Sequence, residues 1–420
     1  MRAMVLPKFG ERNLFELREV EIPEIGVNEV LIKIIASAVN PVDAKIRGSG
    51  YFGKSSLPII LGYDAAGIIE KAGDGVTDFK QGDEVYYTPK IMGNSLGTYA
   101  EYNSVEASIV AIKPKNLTFE ESAAIPLAGG TAWDAVVRRL KIQAGETILI
   151  HGAAGGVGTF AVQFAKASGA KVIATASPKN HQALHKLGAD IVIDYHEKDA
   201  AEVALKETGG KGVDAAFDIQ GEDIVSRCLP GIRPFGRVAC IQPPKGDLTL
   251  LYRNNITLHG VFITRDKQRL DEMREVFEKG LVKPVIEKVL PLEEVSKAHE
   301  RMESRHGLGK IVIGTKKDVK VSAAEGYGEY NEAAIQQIDK KECPEDMKLE
   351  EGMQLIANSP DGKRMPFIIN KIEENQITVD FNHPLAGKNL EFNVELLDVR
   401  DATPDELSHG HAHGPDGAHH

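Results

Sequence analysis

The chain has 420 residues, of which 42% are hydrophobic and 26% are charged, an ordinary composition for a soluble protein. This length predicts two or three domains, and no apolar run in the sequence is long enough to span a bilayer. The opening residues MRAMVLPKFG lack a secretion-signal core, and Cys228, Cys240 and Cys343 are too scattered for a disulfide framework, so a cytoplasmic location is expected.

The net charge of −11 is unevenly distributed along the chain. Residues 1–324 hold 42 Lys and Arg against 41 Asp and Glu, whereas residues 325–420 hold 8 against 20. This asymmetry predicts a separate acidic module at the end of the chain. No basic surface typical of nucleic-acid binding stands out, so neither nucleic acid nor a membrane is an expected partner.

The predicted elements change character along the chain. Residues 1–122 read as short strands between Gly and Asp turns. From about Thr131, helical and strand-like segments alternate (TAWDAVVRRLK, TILIHG, GVGTFAVQFAKASG, AKVIATAS, HQALHKLG, ADIVID), which predicts an α/β fold with a parallel sheet and crossover helices. GKIVIGT predicts a closing strand, and residues 315–326 are small and polar enough for a linker.

The stretch ILIHGAAGGVG, residues 148–158, places four glycines between a buried strand and an amphipathic helix. Bare amides at a helix N-terminus attract phosphate, and missing side chains let a pyrophosphate approach. The G-x-G-x-x-G pattern is broken by Ala153, and tight packing alone remains an alternative explanation for the glycines. The predicted cofactor contacts in this turn are Ala154, Gly155, Gly156, Val157 and Gly158.

The end of the second strand of this fold, VIATASPKN, discriminates between the two nicotinamide dinucleotides. An NAD site usually has an acidic residue there for the ribose hydroxyls, and none stands between Val172 and Asn180. Ser177 and Lys179 instead offer a hydroxyl and a cation, which suit a 2′-phosphate. The sequence therefore predicts NADPH as the cofactor. The alternative is that Lys179 is an ordinary surface lysine.

Several motifs in order resemble the zinc-independent quinone oxidoreductase group of the medium-chain dehydrogenase/reductase superfamily. They are NPVDAKIRGSGYF, GYDAAGIIEKAGDGV, GDEVYY, GGTAWDAV, HGAAGGVGTFAVQFAKASGAKVIATAS, LGADIVIDY and GLGKIVIGT, and they span residues 1 to about 315. The resemblance implies a GroES-like β-rich catalytic domain from residues 1–122 and 281–315. It also implies a doubly wound Rossmann domain for NADP at residues 123–280, and a homodimer.

The resemblance also bears on catalysis, because Asn40, Tyr63 and Asp64 stand where the zinc enzymes of the superfamily have Cys, His and Glu. No catalytic zinc is therefore expected, and the substrate should already be electrophilic: a quinone or an α,β-unsaturated carbonyl. The family pattern implies catalytic roles for Asn40, Asp43 and Tyr51, with Arg47 as a further candidate proton donor. An Asp43–Arg47 ion pair and a merely packed Tyr51 are the alternatives.

Other residues match family positions at the cofactor. Thr131 precedes a helix, Tyr195 follows IVID beside the expected 2′-phosphate, and Lys310 lies in GKIVI. Phe262 and Ile263 match the segment that passes the nicotinamide. Each also has a purely structural explanation: Tyr195 as a strand end and Phe262 as a core residue.

The acidic end, with FNHPLAGKNLEFNVEL, resembles the C-terminal part of SlyD-like FKBP prolyl isomerases. The resemblance implies a small mainly-β partial module at 327–404 with an insert-in-flap region, and a disordered His-rich tail at 405–420. The small, polar stretch at 316–326 is expected to be the linker before this module. Tyr327 and Phe392 match pocket positions, but the first half of that family's domain is missing. We therefore expect weak or absent isomerase activity, with unfolded polypeptides as the expected partners of the insert.

The tail contains His409, His411 and His413, which resemble a metal-storing segment and predict binding of nickel or another divalent ion. A purification tag is an alternative for the final two histidines. Three functions stay open: a quinone or enone reductase, a folding helper with isomerase or chaperone activity, and a catalytically idle dinucleotide-binding protein.

Overall fold

The computed structural model describes residues 1–50, 57–305, 307–315, 317–321, 327, 329–343, 349–358, 364–388 and 390–394. The chain divides into two compact units, Met1–Thr315 and Lys316–His420. Within the described ranges, no helix combines the length and the apolar character needed to cross a membrane.

The described residues of the first unit form three sheets. Its strands are β1 (Arg2–Leu6), β2 (Glu16–Glu19), β3 (Glu29–Ala38), β4 (Ile59–Ile60), β5 (Ala65–Ala72), β6 (Glu84–Tyr87), β7 (Tyr102–Glu106), β8 (Val110–Ile112), β9 (Thr147–His151), β10 (Lys171–Thr175), β11 (Ile191–Ile193), β12 (Val213–Asp218), β13 (Ile232–Cys240), β14 (Thr257–Gly260), β15 (Ile286–Pro291) and β16 (Lys310–Gly314). Its α-helices are α1 (Pro41–Ser49), α2 (Phe119–Ala123), α3 (Pro126–Trp133), α4 (Gly156–Ala167), α5 (His181–Lys186), α6 (Ala200–Glu207), α7 (Ile224–Cys228), α8 (Thr249–Arg253), α9 (Lys267–Glu278) and α10 (Val295–Glu303). A π-helical segment, Asp134–Arg139, continues α3.

The β-rich part combines the start of the chain with its return near residue 310. One sheet runs β15-β16-β3-β5-β6-β8 with β7 also on β3, and another runs β2-β1-β4. β16 pairs antiparallel with β3, Val312 opposite Ala38, so the closing strand lies directly beside the strand that leads into α1. This pairing brings the start of β16 close to residues 39 and 40.

The alternating part forms a parallel sheet in the order β11-β10-β9-β12-β13-β14, as the alternation of helical and strand-like segments predicted. β9 has β10 on one side and β12 on the other, with Leu149 opposite both Ile173 and Ala216. The strand order therefore reverses at β9. In doubly wound sheets, ligands bind at the carboxyl ends of the strands where this reversal occurs.

Aromatic packing fixes α4 above this sheet. The rings of Phe160 and Phe277 pack edge to face with centroids 6.0 Å apart, and Trp133 packs on Phe164 at 5.2 Å. Burial of each such side chain contributes roughly 1.5–3 kcal/mol relative to leaving it exposed. Because α4 is held along one face, its N-terminus is held at the end of β9.

The second unit is mainly β in its described parts. β17 (Lys317–Val321) pairs antiparallel with β22 (Leu390–Val394). β18 (Ile335–Asp339), β19 (Gln354–Asn358), β20 (Arg364–Ile372) and β21 (Gln376–Asp380) form a sheet in the order β18-β21-β20-β19. A small core lies on this sheet and contains Phe367, Ile369, Ile377 and Val379.

One difference from the sequence prediction concerns the linker. Residues 316–326 were expected to link the two modules, but residues 317–321 form β17. Their sequence KDVKV alternates valine with polar residues, a pattern that a paired strand can use once a partner such as β22 is available. The partner is more than 60 residues away in the sequence, so the local composition did not reveal the pairing.

Candidate active site at the glycine turn

The glycine turn follows β9 and is held by the neighbouring strand β10. The Ala153 amide donates to the carbonyl of Thr175 at 3.1 Å, and the Gly152 amide donates to the Thr175 hydroxyl at 3.2 Å. Gly152 has φ +77°, in the left-handed region that glycine adopts without strain. Ala153, which breaks the glycine pattern, is fully buried, so its methyl group packs in the core.

Two glycines of the turn have different roles. A Cβ at Gly158 would lie 2.4 Å from the carbonyl oxygen of Gly152, so only glycine permits this closeness of helix and turn. Among the described residues, a Cβ at Gly155 would meet nothing closer than 3.7 Å, so this position is open. Gly155 is the N-cap of α4, and as a glycine it has no side chain with which to cap this end of the helix. The first amides of α4 and the positive helix end therefore fit a pyrophosphate.

The predicted 2′-phosphate region lies at the ends of β10 and β11. The Ser177 and Tyr195 hydroxyl oxygens are 3.3 Å apart, which brings two separately predicted residues together. Tyr195 is 48% exposed and packs beside His196, with ring centroids 4.3 Å apart. Lys179 is exposed two residues after Ser177. This edge therefore offers hydroxyl groups at a solvent-accessible position and a lysine close by in the sequence.

Lys310 connects the glycine turn to the β-rich part. The Gly309 amide donates to the Ala154 carbonyl at 2.8 Å, and Lys310 follows at the start of β16. A Cβ at Gly156 would lie 2.7 Å from Cδ of Lys310, so the bare turn leaves room for the lysine stem. The Lys310 ammonium donates to Val39 O at 2.8 Å and to Asn40 Oδ1 at 2.5 Å.

Asn40, Asp43 and Asp64 form a buried polar cluster around this ammonium group. Asn40 donates from Nδ2 to Asp64 Oδ2 at 2.9 Å, and its backbone amide donates to Asp43 Oδ2 at 2.7 Å. Asp64 Oδ2 is 3.5 Å from the Lys310 Nζ. Asp64 Oδ1 accepts from the Leu127 amide at 2.7 Å. The structure thus brings the predicted Asn40, Asp43 and Lys310 together and adds Asp64.

Burial dominates the electrostatics of the cluster. It raises the pKa of Asp43 to about 7, against the opposing effects of the Asn40 amide and the Tyr99 hydroxyl. It raises the pKa of Asp64 to about 6, although Lys310 and Asn40 act in the opposite direction. Burial also lowers the pKa of Lys310, and the two carboxylates oppose that shift. Both carboxyl groups therefore exchange protons closer to neutral pH than exposed aspartates do.

Sequence reasoning missed the partners of Asp43. Tyr99 donates from its hydroxyl to Asp43 Oδ2 at 2.8 Å, and the same hydroxyl lies 3.2 Å from His299 Nε2. Arg47 does not pair with Asp43 among the described contacts; it bonds Glu303 at 2.7 Å, so the ion-pair alternative is wrong. Tyr99 and His299 lie far from Asp43 in the sequence, and no local signal indicated them.

Other predicted cofactor residues lie around α3. The Thr131 hydroxyl donates to the Leu127 carbonyl at 2.7 Å. Thr131 lies within α3, so the expectation that it precedes the helix is wrong. Ile263 lies beside this helix, since its Cδ1 is 3.1 Å from a Cβ built at Gly130. Phe262 is 63% exposed, so its interpretation as a core residue is wrong. Both Phe262 and Ile263 lie in the loop that follows β14.

The remaining predicted residues lie elsewhere or outside the described ranges. Tyr51, His409, His411 and His413 fall outside the residues that the structure describes. Tyr327 stacks on His383 with ring centroids 3.9 Å apart, and the backbone of Phe392 in β22 pairs with that of Val319 in β17. In the described part of the chain, no three His, Cys, Asp or Glu side chains come together as metal ligands.

Comparisons with known proteins agree with this architecture. A profile of the alcohol dehydrogenase GroES-like domain matches residues 26–115, and a profile described as zinc-binding dehydrogenase matches residues 187–313. The NADPH-dependent alkenal/one oxidoreductase of Arabidopsis thaliana is 35% identical over 326 residues, which cover 74% of this chain and 79% of the relative. The human quinone oxidoreductase is 33% identical over 325 residues, covering 74% and 97%.

Among solved structures, the Escherichia coli quinone oxidoreductase in complex with NADPH is 31% identical and has a TM-score of 0.68. The match covers 75% of this chain and all of that one. Identity above 30% over most of a relative's length establishes common membership. Residues 1–315 therefore belong to the medium-chain dehydrogenase/reductase superfamily, with the quinone and alkenal oxidoreductases, and the chain is an oxidoreductase of this superfamily.

Proposed function

We propose that residues 1–315 form a reductase that uses NADPH to reduce quinones or α,β-unsaturated carbonyl compounds without a catalytic zinc ion. The observation that carries this proposal is the connection from the glycine turn through Lys310 to Asn40. It joins a pyrophosphate-type turn to a buried polar cluster. Bound NADPH supplies a hydride at its nicotinamide C4, and the protein positions it against the acceptor carbon.

In this proposal the turn binds the pyrophosphate. The residues assigned to it are Ala154, Gly155, Gly156, Val157 and Gly158. Ser177, Lys179 and Tyr195 bind the 2′-phosphate, which favours NADPH over NADH because no carboxylate follows β10 to repel it. Thr131, Phe262 and Ile263 line the nicotinamide side.

The donor set around Asp64 supports chemistry without zinc. An amide and a phenol stand at two of the three ligand positions, and neither is a usual zinc ligand. The Lys310 ammonium, 3.5 Å from Asp64 Oδ2, already provides the positive charge beside this carboxylate. A dication there would be repelled by the ammonium group. The acceptor must then be electrophilic without help from a metal, as a quinone or an enone is.

Asn40, Asp43 and Tyr51 are proposed to act at the reacting end. Asn40 is held by Lys310 and Asp64, so its orientation is fixed before substrate arrives. Asp43 keeps one oxygen, Oδ1, without a hydrogen-bond partner among the described residues. Tyr51 is assigned by resemblance as a donor to the reduced oxygen. These roles stay predictions, as do the domain boundaries at residues 122, 281 and 315.

The test is an NADPH-consumption screen of the full chain against quinones, enones and saturated alcohols. Each substrate is measured with NADPH and with NADH, before and after treatment with a chelator. The proposal predicts turnover of quinones or enones with NADPH that survives the chelator. Turnover only of alcohols, lost on chelation, contradicts it.

We also propose that residues 327–404 are a partial SlyD-like module with little isomerase activity that binds unfolded polypeptides. Its small described core and its excess of acidic residues support a separate soluble module.

We further propose that His409, His411 and His413 bind nickel, and that the protein is a cytoplasmic homodimer. A proline isomerisation assay, nickel calorimetry and light scattering test these proposals. Full isomerase turnover contradicts the proposal of a partial module. The absence of nickel binding heat contradicts the metal proposal, and a monomeric mass contradicts the homodimer.

A further inference from the structure

A chain of buried hydrogen bonds runs behind Asp43, away from Asn40. Arg47 Nη1 lies 2.9 Å from His299 Nδ1, and His299 Nε2 lies 3.2 Å from the Tyr99 hydroxyl. The Tyr99 hydroxyl is 2.8 Å from Asp43 Oδ2. These bonds join helices α1 and α10 to the segment before β7, across up to 252 residues of sequence.

The donor-to-acceptor direction of these hydrogen bonds follows from Arg47, the first residue in the series. A guanidinium group only donates, so His299 Nδ1 must accept from Arg47. The proton of the neutral imidazole then sits on Nε2, which donates to the Tyr99 oxygen, and Tyr99 donates to Asp43. Burial and the nearby Arg47 lower the pKa of His299 to about 3, consistent with the neutral ring. Each bond polarises the next one toward the carboxylate.

These hydrogen bonds fix one oxygen of Asp43 and leave the other without a partner among the described residues. Oδ2 accepts from both the Asn40 amide and the Tyr99 hydroxyl, whereas Oδ1 is buried without a partner in the described part of the protein. The Tyr63 hydroxyl is a second buried atom without a partner there, and its pKa is raised by burial and by Asp43. Phe15 packs edge to face against His299 in this series of hydrogen bonds, with ring centroids 5.0 Å apart.

We propose that Tyr99 and His299 are positioning residues of the reductase, which hold the Asp43 carboxylate so that Oδ1 is presented to a water or hydroxyl group in the active site. This inference rests on the proposed function for its effect on turnover. Its structural part, the orientation of Asp43, can be measured without turnover. A side chain held in one orientation by its neighbours lowers the cost of reaching the reactive geometry.

The charged and titratable groups that face Asp43 come from several elements. They are Lys310 on β16, Asp64 and Tyr63 before β5, and Tyr99 before β7, with Arg47, His299 and Glu303 behind Tyr99. Tyr99 lowers the pKa of Asp43 through its hydrogen bond, whereas Asp64 raises it and Lys310 lowers it. Removal of the Tyr99 hydroxyl alone therefore raises the pKa of Asp43.

The test compares Tyr99→Phe, His299→Leu and His299→Gln with the control Tyr87→Phe. Tyr87 is a buried tyrosine of the same part of the fold whose hydroxyl bonds Asn103 at 3.1 Å, outside the chain. Glutamine can both accept from Arg47 and donate to Tyr99, so His299→Gln is the conservative variant. The measurements are kcat and KM over pH, NADPH affinity by fluorescence titration, and the Asp43 titration by carboxyl carbon NMR.

We expect kcat to fall about 10- to 100-fold in Tyr99→Phe and His299→Leu, with NADPH affinity changed less than about twofold. The Asp43 titration should move to higher pH in both. His299→Gln should recover most of kcat, and Tyr87→Phe should match the parent. The proposal is overturned if Tyr99→Phe and His299→Leu have the same kcat and the same Asp43 titration as Tyr87→Phe. A shifted Asp43 titration in a protein that reduces neither quinones nor enones supports the positioning and contradicts the proposed function instead.

Discussion

The ammonium group of Lys310 donates to Asn40 Oδ1 at 2.5 Å, although the two residues are 270 positions apart in the chain. The lysine stem crosses the space that a side chain at Gly156 would fill. One residue thus contacts both the turn assigned to the pyrophosphate and the cluster assigned to the reaction. The two halves of the proposed active site are therefore mechanically joined even without substrate.

Replacing this lysine by methionine should show both roles. Lys310→Met keeps most of the stem, removes the Lys310 donor from Asn40 Oδ1 and Val39 O, and leaves the buried Asp64 carboxylate without its counter-charge. Loss of one partner of a buried ion pair costs about 3–5 kcal/mol of unfolding free energy. We expect a loss of that order in urea denaturation and a loss of turnover. Lys115→Met, at an exposed lysine, is the control, and equal stability of the two variants would contradict the assignment.

Gly158→Ala should destabilise the turn. The new methyl group would lie 2.4 Å from a backbone oxygen that cannot move without breaking the hydrogen bonds to Thr175. Overpacking of this kind costs about 1–3 kcal/mol, and we expect weaker NADPH binding with it. Gly314→Ala is the matched control, because within the described part of the chain its Cβ would meet only Val289, at 3.9 Å. Thermal unfolding and NADPH titration measure both effects; a Gly158→Ala protein as stable as the control contradicts the close approach.

Ser177→Asp should reverse the cofactor preference. A carboxylate beside the Tyr195 hydroxyl repels a 2′-phosphate and accepts hydrogen bonds from ribose hydroxyls. We expect the ratio of the NADH to the NADPH dissociation constant to fall by about tenfold or more, corresponding to about 1.4 kcal/mol. Ser168→Asp, at the other end of α4, controls for the added charge. An unchanged ratio would place the 2′-phosphate elsewhere.

Stability should depend on pH through Asp43. Its pKa is raised in the folded state from 3.8 to about 7, so the folded protein binds more protons than the unfolded chain between these values. The stability that Asp43 contributes is then fully present below pH 4 and is lost as pH rises toward 7. We expect the unfolding free energy of the parent, relative to Asp43→Asn, to fall by the order of 1–3 kcal/mol over this range.

The control for this prediction is Asp78→Asn. Asp78 contacts Lys267 at 3.0 Å, and this contact lowers its pKa, so any contribution grows as pH rises from acid values. As pH rises, the unfolding free energy of the parent should therefore fall relative to that of Asp43→Asn and rise relative to that of Asp78→Asn. Urea denaturation at a series of pH values measures both. A parent that gains stability over Asp43→Asn as pH rises from 4 to 7 refutes the raised pKa of Asp43.

The sequence by itself determined the features that depend on local patterns. The alternation from Thr131 onward predicted the parallel sheet, because strand and helix periods are properties of short segments. The glycines of residues 148–158 predicted the turn, because a tight bend before a helix needs bare backbone. The family resemblance brought Asn40, Asp43 and Lys310 to notice as separate residues, without their contacts.

Only the tertiary structure decided which of these residues meet. Tyr99 reaches Asp43 from the segment before β7, and His299 reaches Tyr99 from α10, which packs beside α1; these long-range contacts have no local signature. Arg47 takes Glu303 rather than Asp43 for the same reason. The strand at residues 317–321 likewise depends on a partner far along the chain. Periodicity encodes which face of a segment is buried, whereas the hydrogen-bond partner of a buried polar group is set by where distant segments pack.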